Sequence, residues 1–339
     1  MTPYRILCLL LIGFTSITRT IASPSDHDAK ARQLYKEGLA FRSSGQLQAA
    51  VARFTAAINL NQSYTDAYLQ LGDIYRIQQQ PAKASSQYQA ALNRQPGHIG
   101  AMRGLADVSY EQHEYEKALT FALQLRQQGV IGESLLIGQC YEALEDDSAA
   151  LDALLVACAE MPANSEPPYL LAQLYATGEQ YNTSIHYYQL AIRADSNRSQ
   201  LYYELGMMYF NTNDFAQAIL HFEHAAALGQ TLNADYHYNL GVACIKLAQT
   251  GKGIAQLQAA LTQRPKDIPA IYTLAHTFYT QQEFKEAIKQ WDLLLSLQPE
   301  NAFAMFMLGK SYMGAGDTVK GTALCDKALS MNSGLSGNM

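Results

Sequence analysis

Cysteine is scarce in this chain, with five in 339 residues, and that excludes a small disulfide-knitted scaffold, which is far denser in cysteine. Glycine and proline, at 22 and 10, are too few and too evenly spread to mark a linker on which the chain could be cut. Runs of alternating Val, Ile and Thr are missing. Strands are therefore not expected, and a chain dominated by Ala, Leu, Gln and Tyr reads as all-helical. Positive charge is also short: the formal net charge is −6, so no basic surface is on offer to phosphate and no nucleic-acid partner is expected. No strand-turn-helix serine elbow, phosphate-cradling glycine loop or dinucleotide fingerprint is present. Neither catalysis nor a cofactor is expected.

Long apolar runs are confined to the N-terminus. Arg5 precedes the apolar stretch from Ile6 to Phe14, and the more polar Thr15 to Ala22 ends in the small-residue pattern Thr20-Ile21-Ala22. The apolar core is shorter than the roughly 20 residues a membrane-spanning helix needs. The pattern is that of a secretory signal peptide over residues 1–22, cleaved near Ala22, with a short linker expected over 23–30. Cys8 lies within the apolar core rather than after it, which speaks against lipoprotein-type acylation. Cleavage removes Arg5 and Arg19 and no acid, taking the formal net charge from −6 to −8. It leaves four cysteines, Cys140, Cys158, Cys244 and Cys325. The expected mature chain has no transmembrane segment and resides in a bacterial periplasm or cell envelope.

The stretch from Leu201 to Gly229 shows how the remainder is organised. Leu201, Tyr202, Leu205, Tyr209 and Phe210 fall at helical spacing, as do Ala218, Ile219, Phe222, Ala225 and Ala226. Between them Asn211 to Asp214 reads as a turn in which Asn213 or Asp214 caps the second helix. Two short amphipathic helices bury too little alone, so this hairpin needs neighbours. At steps of 34 residues, occasionally 32 or 35, Gly206 aligns with Gly38, Gly72, Ala106, Gly138, Ala172, Gly241, Ala275 and Gly309. Twelve residues further on come Ala50, Ala84, Ala118, Ala150, Ser184, Ala218, Gly253, Ala287 and Gly321. Small residues at both places let helices approach closely. Large ones lie between: Phe41, Tyr75, Tyr141, Tyr175, Tyr209, Phe278 and Tyr312 on first helices, and Phe54, Tyr88, Leu154, Tyr188, Phe222, Leu257 and Trp291 on second helices. Pro96, Pro162, Pro265 and Pro299 stop four of the units.

This set of landmarks resembles the tetratricopeptide repeat, a 34-residue helix-turn-helix. The resemblance covers nine tandem units over residues 31–335, with a disordered tail over 336–339. It implies one continuous α-solenoid, a right-handed superhelix whose first helices line a concave groove. The third unit departs from the pattern, with Ser109 and Ala122 at its aromatic places, and the step across Gly129 to Ile131 is irregular, which predicts a slip in the stacking there.

The face that the family presents to its groove carries an aromatic at one register in five consecutive units: Tyr169, Tyr203, Tyr238, Tyr272 and Phe306. Met207, Phe210, Ile245, His276 and Tyr279 stand beside them, with Val242, Phe303 and Met313. Earlier units place Arg32, Arg42, Asp66, Asp73, Arg76, Arg103, Asp107, Glu111 and Glu142 there instead. Stiff, half-polar aromatics suit peptide recognition, and they equally suit packing between hairpins. The lysine-asparagine pair of the family's carboxylate clamp is missing, and only Asn239 stands where the sugar-transferase relatives have an asparagine ladder. His221 and His224, at i and i+3, are the best metal pair the sequence holds, but no third ligand is placed and both are expected on the solvent side. Cys140 and Cys158 lie on the two helices of one hairpin and could bond in an oxidising compartment if their Cα atoms came within about 7 Å; Cys244 and Cys325 occupy core landmarks. Free buried thiols are the expectation for all four.

Together these features predict a non-catalytic interaction scaffold of the bacterial envelope that binds a peptide or partner-protein segment. The alternative is a structural accessory of an envelope machine, for polysaccharide or pilus export or outer-membrane assembly.

Overall fold

The computed structural model describes residues 24–332; the expected signal peptide and the expected tail at 336–339 lie outside the described residues. Among these, the chain forms eighteen helices and no strand. In order they are α1 (Pro24–Ser43), α2 (Leu47–Leu60), α3 (Thr65–Ile77), α4 (Pro81–Arg94), α5 (Ile99–Glu111), α6 (Tyr115–Gln127), α7 (Ser134–Ala143), α8 (Asp147–Glu160) and α9 (Glu166–Thr177). Then come α10 (Tyr181–Ala194), α11 (Ser199–Asn211), α12 (Phe215–Ala227), α13 (Ala234–Lys246), α14 (Thr250–Gln263), α15 (Ile268–Thr280), α16 (Phe284–Leu297), α17 (Ala302–Gly314) and α18 (Thr318–Met331). Each odd helix packs on the even helix that follows it, making nine hairpins.

Residues 24–30, expected as a linker, belong to α1. Asp26 stands in its first turn, where the helix dipole favours an acid. The hairpins form two compact bodies, one ending at Val130 and the other beginning at Ile131. That boundary falls on the irregular step of the repeat. Gly129 and Gly132 flank it with φ of 80° and 95°, so α6 ends and α7 restarts outside the 34-residue register.

The two small places have distinct jobs. A methyl added to Gly206 would lie 2.7 Å from Cδ1 of Phe222, a ring that is completely buried; the small residue of the first helix is thus the seat for the large residue of the second. Gly38 seats Phe54, Gly72 seats Tyr88 and Gly138 seats Leu154 in the same way. The second small place meets the backbone of the first helix, as Ser184 shows by donating a 2.7 Å hydrogen bond to the Ala172 carbonyl. The third hairpin adds a seat for a ring of its neighbour. Tyr88 of the second hairpin also reaches Gly104 on α5, where a methyl would lie 2.5 Å from its Cζ. Ser109 and Ala122 are themselves buried.

The turns repeat as strictly as the packing. Seven residues after each first small place the backbone is left-handed: Gly45, Gln79, His113, Glu145, Glu179, Asn213, Ala248, Gln282 and Gly316 all have φ between 56° and 96°. The next residue returns its N–H to the large first-helix place, as Asp214 does to the Tyr209 carbonyl at 2.9 Å and Gln249 to Cys244 at 2.8 Å. This is the Schellman closure of a helix end. In the sixth hairpin Asn213 is the left-handed residue and Asp214 the cap, its carboxylate accepting from the Gln217 N–H at 3.2 Å. A left-handed conformation costs a non-glycine residue about 1 kcal/mol. Ala248→Gly is therefore expected to raise unfolding free energy by about 0.5–1 kcal/mol, measured by urea denaturation; no gain would mean that another contact holds the turn.

A candidate interaction face on the first helices

Consecutive first helices touch one another, α3 with α5, α11 with α13 and α13 with α15, whereas consecutive second helices do not come as close. Within each body the first helices therefore form the inner layer, and the residues predicted to bind a partner lie on it.

In the N-terminal body this layer is an ion-pair ladder. Arg42 of α1 reaches Asp73 of α3 at 3.1 Å and also donates to Gln70. Arg76 of α3 reaches Asp107 and Glu111 of α5 at 2.6 and 2.7 Å. Tyr88 donates its hydroxyl proton to Asp73 at 2.8 Å. Burial pushes the Asp107 carboxyl up, with the Arg76 guanidinium opposing the shift. The charges that the sequence places on this face thus join neighbouring hairpins to each other.

In the C-terminal body the aromatic register divides into covered and open members. Tyr169 is buried, with the Arg198 guanidinium 4.1 Å above its ring. Its hydroxyl donates to Glu204 at 3.3 Å and accepts from Gln173 and Gln200 at 2.7 and 2.8 Å. Burial first, and the Glu204 charge second, push its pKa up to about 12. Tyr188 also donates to Glu204, at 2.7 Å. Phe306 is buried, with the Lys310 ammonium 5.7 Å from its ring. Tyr203 is half-buried between Phe222 and Tyr236, at 5.5 and 6.2 Å, and accepts from Asn239 at 3.3 Å. Asn239 also donates to the Met207 sulfur at 3.1 Å. Phe210 meets Phe215 edge-on at 5.5 Å, Tyr279 meets Phe284 edge-on at 5.8 Å, and half-buried Tyr238 packs against the core of the last hairpins.

Tyr272 is the open member, 39% exposed. Its ring stands edge-on to Trp291 at 5.5 Å and tilted against Phe303 at 6.0 Å, and His276 lies nearly parallel to it at 6.3 Å. Beside it α13 and α15 enclose a cavity of about 380 Å³, lined by Val242, Ile245 and Lys246 on one helix and Tyr272, Thr273, His276, Thr277 and Thr280 on the other. Three of the ten predicted residues, Ile245, Tyr272 and His276, come together here. Lys246 and the three threonines were not predicted. Lys246 lies one turn beyond Val242 on the same face, a spacing that the sequence does contain.

His221 is not on the solvent side. It is half-buried, its ring parallel to Tyr209 at 5.3 Å and stacked with Tyr202 at 6.1 Å, and burial lowers its pKa. His224 is exposed and stacks on Tyr202 at 4.2 Å. Among the described residues no group of three or more His, Cys, Asp or Glu side chains is placed to hold a metal ion. Cys140, Cys158, Cys244 and Cys325 are free thiols. Burial pushes Cys140 up to about 12 and raises the other three, so none is held as the reactive thiolate.

The chain belongs to the tetratricopeptide repeat family, whose fold serves as a protein-interaction scaffold. The family's model matches residues 78–129, 169–231 and 272–335, and a second TPR repeat model matches 38–76. Among curated proteins, the peroxisomal targeting signal receptor of Candida albicans is 24% identical over 295 residues, covering 81% of this chain and 48% of that protein. Anaphase-promoting complex subunit 6 of Arabidopsis thaliana is 24% identical over 180 residues, 52% of this chain and 33% of that one. The chain thus spans about half the length, or less, of these curated relatives. Two solved structures share the fold: a tetratricopeptide repeat protein from Parabacteroides merdae, with a TM-score of 0.52, 18% identity and coverage of 74% of this chain and 99% of that one, and the C-terminal part of a TPR repeat-containing protein from Cytophaga hutchinsonii, with a TM-score of 0.53, 18% identity and coverage of 67% and 94%. No helix among the described residues is long and apolar enough to cross a membrane.

Proposed function

We propose that this chain is a non-catalytic binding scaffold, exported into the bacterial envelope, that holds a peptide or partner-protein segment on the inner face of its C-terminal body. The observation that carries the reading is the cavity between α13 and α15, where an exposed, braced tyrosine stands beside an aliphatic wall. Rigid aromatics on a preformed surface bind at low entropic cost. The Candida albicans relative is by name a receptor for a targeting signal, and a receptor role is what we carry over. Export rests on the apolar run Ile6 to Phe14 and the small-residue pattern at Ala22; N-terminal sequencing of the chain recovered from the envelope should begin near Ser23, and a retained Met1 would end that part of the proposal.

Random twelve-residue peptides displayed on phage and selected on the full chain test the binding site. The selected peptides should bind wild type and lose at least tenfold in affinity against Ile245→Ser/Tyr272→Ser, while the far-ultraviolet circular dichroism of the variant is unchanged. Equal affinity for the variant would remove the cavity as the site.

A further inference from the structure

We infer that the segment held in the α13–α15 cavity carries a carboxylate side chain next to an apolar residue; the inference rests on the binding reading above. The cavity's charge is one-sided. Lys246 is exposed at its edge and makes no ion pair among the described residues. His276 is exposed beside it, its ring nearly parallel to that of Tyr272 at 6.3 Å. The acids on or capping the two helices that line the cavity are already engaged, Asp235 by Arg264, and Asp267 by Arg264 and by the capping bond to the Ala270 N–H; Glu283, in the turn after α15, lies outside the cavity's lining. One hairpin further on, Lys310 occupies the register of His276, again without an acid partner among the described residues. In a chain of net charge −6, and in contrast to the fully paired arginines Arg42 and Arg76 of the N-terminal body, this edge is a local excess of donors and positive charge.

The threonines sharpen the assignment. Thr273 donates to the Pro269 carbonyl at 2.8 Å, Thr277 to Thr273 at 2.7 Å and Thr280 to Thr277 at 2.9 Å. Their hydroxyl protons are committed to their own helix, so toward the cavity they present lone pairs, which suit peptide N–H groups. The donors left for an anionic group are Lys246, His276 and the Tyr272 hydroxyl. Val242, Ile245 and Tyr272 form the wall against which a neighbouring aliphatic or aromatic side chain is desolvated. Opposite charge at such a rim selects partners and steers their approach.

The peptides selected on wild type are expected to be enriched in Asp or Glu adjacent to Leu, Ile or Phe. Against Lys246→Glu their affinity, read by fluorescence anisotropy, should fall about tenfold, and against Lys246→Arg it should stay within about threefold. Raising sodium chloride from about 50 mM to about 500 mM should weaken wild-type binding several-fold. A fresh selection on Lys246→Glu should lose the acidic preference. Peptides that bind through Tyr272 and Ile245 with no acidic enrichment would overturn this inference and leave the binding reading intact. Peptides indifferent to the Ile245→Ser/Tyr272→Ser change would overturn both. If sedimentation shows a wild-type dimer that Lys246→Glu converts to monomer, the occupant is a second copy of the chain and the separate-partner assignment fails.

Discussion

Gly206→Leu is expected to cost about 3 kcal/mol of unfolding free energy, at the upper end for overpacking a well-filled core. A single methyl there already falls 2.7 Å from Cδ1 and 2.8 Å from Cε1 of Phe222, and 3.3 Å from the Ala218 carbonyl. The ring cannot swing outward, because Tyr203 lies against it at 5.5 Å and Tyr236 edge-on at 6.2 Å. The Tyr236 hydroxyl also donates to the Phe222 carbonyl at 3.2 Å, which ties α13 to α12 at the same point. Removing the ring with Phe222→Ala should cost about 3–5 kcal/mol alone. The decisive measurement is the double variant. If the glycine is small because the ring occupies its side-chain space, Gly206→Leu/Phe222→Ala should be more stable than the sum of the single effects by at least about 1 kcal/mol. Urea denaturation followed by circular dichroism gives all three values, and strict additivity would refute the seating relation.

Trp291→Ala should be as damaging, about 3–5 kcal/mol. The indole is completely buried and is the largest such side chain in the chain. It supports Tyr272 of α15 and Phe303 of α17, at 5.5 and 6.3 Å, so it joins two hairpins as well as the helices of its own. Its Nε1 has no hydrogen-bond partner among the described residues, which makes the contribution one of packing. Trp291→Phe, which keeps most of the apolar volume and deletes that unpaired donor, should therefore recover more than half of the loss. Because each hairpin leans only on its neighbours, the damage should concentrate in α15–α18. Hydrogen exchange should show faster exchange there while the N-terminal body keeps its protection; uniform loss along the chain would contradict it.

The hairpins were legible because their landmarks are steric. A glycine that must seat Phe222 or Tyr88 leaves a trace at fixed spacing, and nine repetitions of that trace identify both the element and its neighbour. The turns were less legible. Seven of the nine left-handed positions are held by residues other than glycine, including Gln79, Glu145 and Ala248, so composition does not announce them. Periodicity places a side chain on a face without saying what lies over it. Tyr169 and Tyr272 occupy one register, yet Arg198 covers the first ring while the second stays open. Likewise Arg76 and Asp107 stand on the predicted face but pair with each other across hairpins, a contact set by the offset between neighbouring repeats. The cavity was half legible: Ile245, Tyr272 and His276 follow from the register, whereas Lys246 and the threonine edge depend on how closely α13 and α15 approach.

The burial of the chain's one tryptophan also has a spectroscopic side. Every indole signal comes from α16, in the eighth of nine hairpins and directly behind the open tyrosine of the cavity. Indole emission therefore watches only the end of the C-terminal body and is blind to α1–α6, whereas the helical dichroism sums over both bodies. Coincident melts by the two signals would mean that the bodies unfold as one cooperative block, and separated melts that each is a block of its own.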